Sequence, residues 1–157
     1  MNSKRAKMPI QKSLRGNTMA SSQEALHILL VEDDEVDIQN VQREFKKLKM
    51  PINLLIAKNG IEALDKLHGT NGETKLFPRP HFIILDINMP KMNGIEFLQK
   101  LRVDDEYKHT KVFILTTAYT THDKIATQDL HVAGYVVKPL QYSDVMALYW
   151  TTMGGEP

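Results

Sequence analysis

Five short runs of apolar residues alternate along the chain with longer stretches in which apolar residues recur every three or four positions. The runs cover residues 27–31, 52–57, 82–85, 112–115 and 135–137. Each run is almost continuously apolar, which is typical of a strand that is buried on both faces of a parallel sheet. The pattern therefore predicts five buried strands with a helix after each.

The first two intervening stretches predict helices that end at helix-breaking residues. In the first, one side of the helix carries Ile38, Val41, Phe45 and Leu48. Pro51 ends this helix because the residue before a proline is pushed out of helical geometry. The second helix covers residues 60–67, ends before Gly69 and buries Ile61, Leu64 and Leu67. Residues 69–80 then predict a long loop.

Three more helices complete the pattern. The third begins near Asn93, whose side chain can cap it, the fourth covers residues 121–131, and the fifth covers residues 143–151. The residues expected to be buried in the third and fifth helices are Ile95, Leu98, Leu101, Val145 and Leu148. Five strand–helix repeats with right-handed crossovers predict one α/β domain in three layers.

Composition narrows the possible classes of protein. A length of 157 residues suits a single domain, and the absence of cysteine excludes disulfides, thiol nucleophiles and thiolate metal sites. The net charge of +1 hides an asymmetry, because residues 1–22 hold five basic and no acidic residues. The rest of the chain is therefore acidic, which argues against a nucleic-acid-binding body. We expect a disordered basic tail at 1–24, a folded domain at 25–152 and a short tail at 153–157.

Polar residues stand where the predicted strands end. The first predicted strand is followed by the acidic residues 32–35, and the third is followed by Asp86. Thr116 and Thr117 stand at the end of the fourth strand, and Lys138 follows the fifth. Carboxyl ends of parallel strands share one edge of the sheet, so these groups are expected to meet there. Clustered carboxylates favour Mg²⁺, and together with a lysine and a hydroxyl they suit phosphoryl transfer to an aspartate. As an alternative, the acidic residues serve only as helix caps.

Four segments make the chain resemble the receiver domain of two-component response regulators. They are ILLVEDDEVDI at 28–38, LDINMPKMNGIEFLQKLR at 85–102, ILTTA at 114–118 and GYVVKP at 134–139, and they follow the family's order over about residues 25–152. The resemblance implies a flavodoxin-like (βα)5 fold with parallel strand order 2-1-3-4-5.

The resemblance also implies a role for each matching residue. Asp86 corresponds to the phosphoacceptor, and Thr117 and Lys138 to the hydroxyl and the ammonium that contact the phosphoryl group. The implied Mg²⁺ ligands are Asp33 and Asp86 directly, Glu32 through water and Asn88 through its backbone carbonyl. Tyr135, together with Thr117, corresponds to the switch residues, and the bond from Lys138 to Pro139 to a cis peptide.

The function implied is that of a single-domain cytoplasmic response regulator rather than an enzyme with turnover. A sensor histidine kinase, with phytochrome-type kinases as one candidate, would phosphorylate Asp86 in a Mg²⁺-dependent reaction. The output would be contact with a downstream protein or phosphotransfer partner, or a homodimer formed through the fourth helix, fifth strand and fifth helix. No DNA-binding domain or membrane anchor is expected. The alternatives are a Mg²⁺-dependent phosphatase with an aspartyl nucleophile and an interaction module that is never phosphorylated.

Overall fold

The computed structural model of the protein describes residues 24–89, 91–118 and 120–154. Nearly all of the expected basic tail at 1–24 lies outside these residues, as do positions 155–157 of the expected C-terminal tail. The predictions for these two segments therefore stay predictions.

The predicted strands form one parallel sheet of five strands in the described residues, ordered β2-β1-β3-β4-β5. The strands are β1 (Leu26–Val31), β2 (Ile52–Ala57), β3 (Phe82–Asp86), β4 (Lys111–Thr116) and β5 (Gly134–Val137). This confirms both the parallel sheet and the flavodoxin-like order 2-1-3-4-5. Each end of each strand lies within one residue of its predicted position.

Five helices connect and follow the strands. They are α1 (Glu35–Phe45), α2 (Gly60–His68), α3 (Gly94–Arg102), α4 (Thr121–Thr127) and α5 (Tyr142–Met153). Asn93 caps α3 as expected, because its side chain accepts a hydrogen bond from the backbone N–H of Glu96. Gly69 ends α2 with a φ of 72°, in the left-handed region that glycine adopts most readily.

Three details of the predicted helices are wrong. The first helix ends at Phe45, so Leu48 lies beyond it and Pro51 is not the residue that ends it. The fourth helix ends at Thr127 rather than at residue 131, because the Thr127 hydroxyl bonds back to the carbonyl of Asp123 and the chain then turns. In α2, Ile61 is 45% exposed although it was expected to be buried. It lies about 120° around the helix from the buried Leu67, since each residue advances the helix by about 100°.

Side chains of the central strands alternate between two apolar cores. Leu29, Val31, Ile83 and Leu85 pack with residues of α2 and α3 on one face. Ile28, Leu30, Phe82 and Ile84 pack with residues of α1 and α5 on the other. Burial on both faces explains why the strands read as continuous apolar runs, and it confirms the three-layer arrangement.

Candidate functional site

The register of the sheet brings two acidic residues side by side. Val31 of β1 pairs with Leu85 of β3, so the next residues, Glu32 and Asp86, leave neighbouring strands at the same level. Both side chains are buried, with Glu32 0% and Asp86 4% exposed. Two carboxyl groups that are far apart in the chain therefore share one buried position at the carboxyl edge of the sheet.

Asp33 completes an acidic cluster with these two residues. One carboxylate oxygen from each of Glu32, Asp33 and Asp86 lies within 4.8 Å of the others, and Asp33 is exposed. Burial raises the pKa of Glu32 to about 7, although hydrogen bonds from Lys138 and from the backbone N–H of Asp34 oppose the shift. Burial is therefore the main reason that the charged form of Glu32 is disfavoured.

Lys138 supplies a cation to this cluster. Its Nζ lies 2.9 Å from Glu32 Oε1, 2.8 Å from Asp37 Oδ2 and 3.3 Å from Asp86 Oδ2. Burial alone lowers the pKa of the ammonium, but the hydrogen bonds to Asp37 and Glu32 and the charge of Asp86 outweigh it and raise the pKa. The peptide bond from Lys138 to Pro139 is cis. The charged lysine therefore faces the carboxylates, as the convergence of strand ends predicted.

Asp37 belongs to this group, although sequence reasoning did not single it out. It lies in the first turn of α1, and its carboxylate makes the shortest contact of Lys138. One signal was available: Asp34 caps α1, which places residue 37 one turn into a helix that begins beside the acidic cluster. The cap also shows that the helix-cap interpretation was right for Asp34, whose side chain accepts bonds from the N–H groups of Val36 and Asp37.

Two contacts hold the loop after β3 and the start of α3 next to Asp86. The backbone N–H of Asn88 donates to Asp86 Oδ1 at 3.0 Å, which fixes the direction of one carboxylate oxygen. Gly94, at the start of α3, lies so close that a Cβ atom there would be 2.4 Å from the carbonyl oxygen of Asp86. The glycine therefore sets how near α3 comes to the residue at the centre of the site.

Of the two residues expected to act as a switch, Thr117 directly follows β4 and Tyr135 lies in the neighbouring strand β5. Thr117 is exposed and follows the last residue of β4, while Thr116 is buried and donates to the carbonyl of Ala118. Tyr135 in β5 is half-buried, and its hydroxyl shares a 2.7 Å hydrogen bond with the hydroxyl of Thr127 in α4. Tyr135 is thus connected to α4.

The donor set of the acidic cluster fits a hard divalent cation. Carboxylate oxygens are the ligands that Mg²⁺ prefers, and Mg²⁺ is commonly held by one or two carboxylates together with water. Among the described residues, Glu32, Asp33 and Asp86 form the one group of three or more acidic or histidine side chains close enough to share an ion.

A sequence-family model described as the response regulator receiver domain matches residues 28–149. The chain is 36% identical over 121 residues to the response regulator Rcp1 of Synechocystis, which spans 77% of this chain and 82% of Rcp1. A solved structure of a two-component response regulator from Legionella pneumophila is 48% identical, with a TM-score of 0.76, and the match covers 83% of this chain and 99% of that one.

Two further similar structures are of a metal-bound and of a phosphorylated response regulator. The Mn²⁺-bound form of Rcp1 is 32% identical with a TM-score of 0.65, and the match covers 81% of this chain and 88% of that one. The phosphorylated cyanobacterial phytochrome response regulator RcpA is 29% identical with a TM-score of 0.72, and the match covers 87% of this chain and 99% of the RcpA chain.

None of the helices in the described part of this chain is both long enough and apolar enough to span a bilayer.

Proposed function

This chain belongs to the response regulator receiver family, and from that premise we propose that it is a stand-alone switch phosphorylated on Asp86 by a sensor histidine kinase. The observation that supports the assignment most directly is the position of Asp86. It is buried at the end of a central strand, beside Glu32 and within 3.3 Å of the Lys138 ammonium. Receiver domains are signalling proteins rather than enzymes that turn over an external substrate.

The proposed reaction forms a mixed anhydride on Asp86. A carboxylate oxygen of Asp86 attacks the phosphorus atom of a phosphohistidine, a new O–P bond forms, and the P–N bond breaks with its electron pair returning to the imidazole ring. The hydrogen bond from the Asn88 N–H to Oδ1 leaves Oδ2 directed towards Lys138. Lys138 then donates to the oxygens of the transferred group, and Thr117 supplies a hydroxyl from the end of β4.

We propose that Mg²⁺ is the cofactor, held by Asp33, Asp86 and the backbone carbonyl of Asn88, with Glu32 acting through water. Three converging carboxylates support this choice, as does the Mn²⁺-bound structure of the similar protein Rcp1. When bound, the ion neutralises negative charge on the carboxylates and on the phosphoryl oxygens. Asp33 would approach the ion from the exposed side of the cluster. Glu32 is held in place by its burial and by the hydrogen bond that it accepts from the backbone N–H of Asp34.

The proposed output is a change in the surface formed by α4, β5 and α5. The phosphoryl group would attract the Thr117 hydroxyl, and Tyr135 would turn inward into the space that Thr117 leaves. The bond between Tyr135 and Thr127 links this movement to α4. Phosphorylation would therefore shift the balance between two packings of this surface.

The proposed partners follow from the similar proteins. RcpA is described as a phytochrome response regulator, which supports a phytochrome-type kinase as the phosphodonor. We propose that the phosphorylated protein passes the signal to a downstream protein or a phosphotransfer partner, or to a second copy of this chain bound through the α4–β5–α5 surface. The reaction is proposed to take place in the cytoplasm, where ATP supplies the kinase.

Acetyl phosphate, with the protein and Mg²⁺, provides the direct test. Intact-mass measurement should show one added phosphoryl group on the wild type and none after Asp86→Asn or after chelation of the metal. Asp105→Asn is a suitable control because it makes the same chemical change at a fully exposed carboxylate. Stoichiometric phosphorylation of Asp86→Asn would refute the acceptor, and steady turnover of unrelated phosphomonoesters would instead favour an aspartyl phosphatase.

A further inference from the structure

The Lys138 ammonium is surrounded by three carboxylates, and one of them lies outside the acidic cluster. Glu32 and Asp86 belong to the group that can share a metal ion, whereas Asp37 comes from the first turn of α1. Asp37 nevertheless makes the shortest of the three contacts, at 2.8 Å, and Asp86 makes the longest, at 3.3 Å. Asp37 and Asp86 accept hydrogen bonds from the ammonium, and Glu32 lies within ion-pair distance of it.

Phosphorylation of Asp86 with Mg²⁺ bound, as proposed above, would change two of these three contacts. The donor that faces Asp86 would turn to a phosphoryl oxygen, and Glu32 would share its charge with the cation proposed to bind the acidic cluster. Asp37 is the partner whose contact with Lys138 can stay the same before and after transfer. Without Asp37, both remaining carboxylates would draw the ammonium towards the place that the phosphoryl group must occupy.

The local structure holds Asp37 firmly in this position. Its backbone N–H donates to the side chain of Asp34, the residue that caps α1. The side chain of Asp37 is 26% exposed and that of Lys138 is 11% exposed, so the pair is shielded from much of the solvent. A charge-assisted hydrogen bond in such a place is stronger and more directional than one on an open surface.

We propose that Asp37 is a positioning residue that holds the Lys138 ammonium in place to contact the incoming phosphoryl group. This inference rests on the proposed function, because it concerns the rate at which Asp86 accepts the phosphoryl group. Asp37 itself touches neither the phosphoryl group nor the metal in this scheme. Its effect should therefore depend on Lys138.

Two variants with the same charge separate positioning from simple electrostatics. Asp37→Asn and Asp37→Ala both remove one negative charge, but asparagine keeps an oxygen that can accept a hydrogen bond from Lys138. We expect Asp37→Ala to slow the initial rate of phosphorylation by acetyl phosphate about tenfold, and Asp37→Asn by no more than about threefold. Measured free energies of unfolding would confirm that both variants are folded.

Two further comparisons connect the effect to Lys138. Glu35→Ala removes a charge from the same turn of α1, but Glu35 pairs with Lys58, so this variant should keep the wild-type rate. In a Lys138→Met background, Asp37→Ala should change the residual rate by less than about twofold, because the residue on which Asp37 acts is missing.

Several results would overturn the proposal. These are a rate for Asp37→Ala equal to that of the wild type or of Asp37→Asn, an equal loss in Glu35→Ala, or a tenfold effect that persists without Lys138. Each of these requires a wild type that is phosphorylated. A wild type that accepts no phosphoryl group contradicts the proposed function itself, so the two failures are distinguishable.

Discussion

Replacing Gly94 by alanine tests how closely α3 approaches the backbone that carries Asp86. Gly94 is the first residue of α3 and follows the cap Asn93. Gly60 occupies the same position in α2 after the cap Asn59, and neither glycine has a positive φ. The two glycines therefore form a matched pair in which the helix position is the same and only the surroundings of a new Cβ atom differ.

Those surroundings differ in whether they can move. At Gly94, a Cβ atom would lie 2.4 Å from the Asp86 carbonyl oxygen and 2.5 Å from Ile87 Cα, both of them backbone atoms of the loop after β3. At Gly60, the three nearest atoms are Cγ, Sδ and Cβ of Met92, at 2.7, 2.9 and 3.0 Å. Cγ and Sδ can rotate away and Cβ needs to move by only a few tenths of an ångström, whereas the backbone at Gly94 must shift by about 1 Å to reach the roughly 3.3 Å of a normal C···O contact.

The expected magnitudes follow from these contacts. Overpacking of a rigid site costs about 3 kcal/mol, at the upper end of the usual range, while rearranging Met92 costs about 1 kcal/mol. Alanine is more favourable than glycine within a helix by about 1 kcal/mol, and this gain applies to both variants. We therefore expect Gly94→Ala to lower the free energy of unfolding by about 2 kcal/mol and Gly60→Ala to leave it nearly unchanged.

Urea unfolding followed by circular dichroism measures both variants. Because the shift at Gly94 moves the backbone of Asp86, Gly94→Ala should also be phosphorylated more slowly by acetyl phosphate, whereas Gly60→Ala should match the wild type. Equal free energies of unfolding in the two variants would show that the loop after β3 adapts without cost. The close approach of α3 would then not constrain the site.

Two further predictions concern the stability of the domain. The Arg102 guanidinium donates to the backbone carbonyls of Lys108, Thr110, Leu130 and His131, so Arg102→Lys should lower the free energy of unfolding by about 2 kcal/mol; an unchanged urea midpoint would contradict this. Burial alone raises the pKa of Asp104, but hydrogen bonds from His68 and from two backbone N–H groups outweigh it and lower the pKa. Ionised Asp104 therefore stabilises the folded state. This stabilisation is complete above about pH 4 and is lost as the pH falls through the lowered pKa of Asp104. The difference in unfolding free energy between wild type and Asp104→Asn should shrink in acid, and a constant difference would refute the assignment.

Much of the candidate site could be predicted because strand ends are visible in the sequence. Apolar runs that are buried on both faces locate the strands, and the polar residue after each run then lies at one edge of the sheet. This reasoning brought Glu32, Asp86 and Lys138 together, and the register of β1 with β3 places the two acids as neighbours. The structure leaves the roles of Thr117 and Tyr135 as predictions.

The features that could not be predicted depend on contacts between distant parts of the chain. Asp37 reads as one acidic residue among several in a helix, and only the packing of α1 beside the end of β5 brings it to Lys138, 101 residues away. The exposure of Ile61 and the early end of α4 likewise depend on which side of each helix meets its neighbours.

The amino-acid sequence by itself determined the strands, most of each helix, the acidic edge of the sheet and the resemblance to receiver domains. It could do so because hydrophobic periodicity and helix caps act between residues that are close in the chain. Only the tertiary structure decided that Asp37 forms an ion pair with Lys138 and that Gly94 lies against the backbone of Asp86. Those contacts arise from the register and packing of whole elements. Local sequence patterns do not specify how closely two such elements pack.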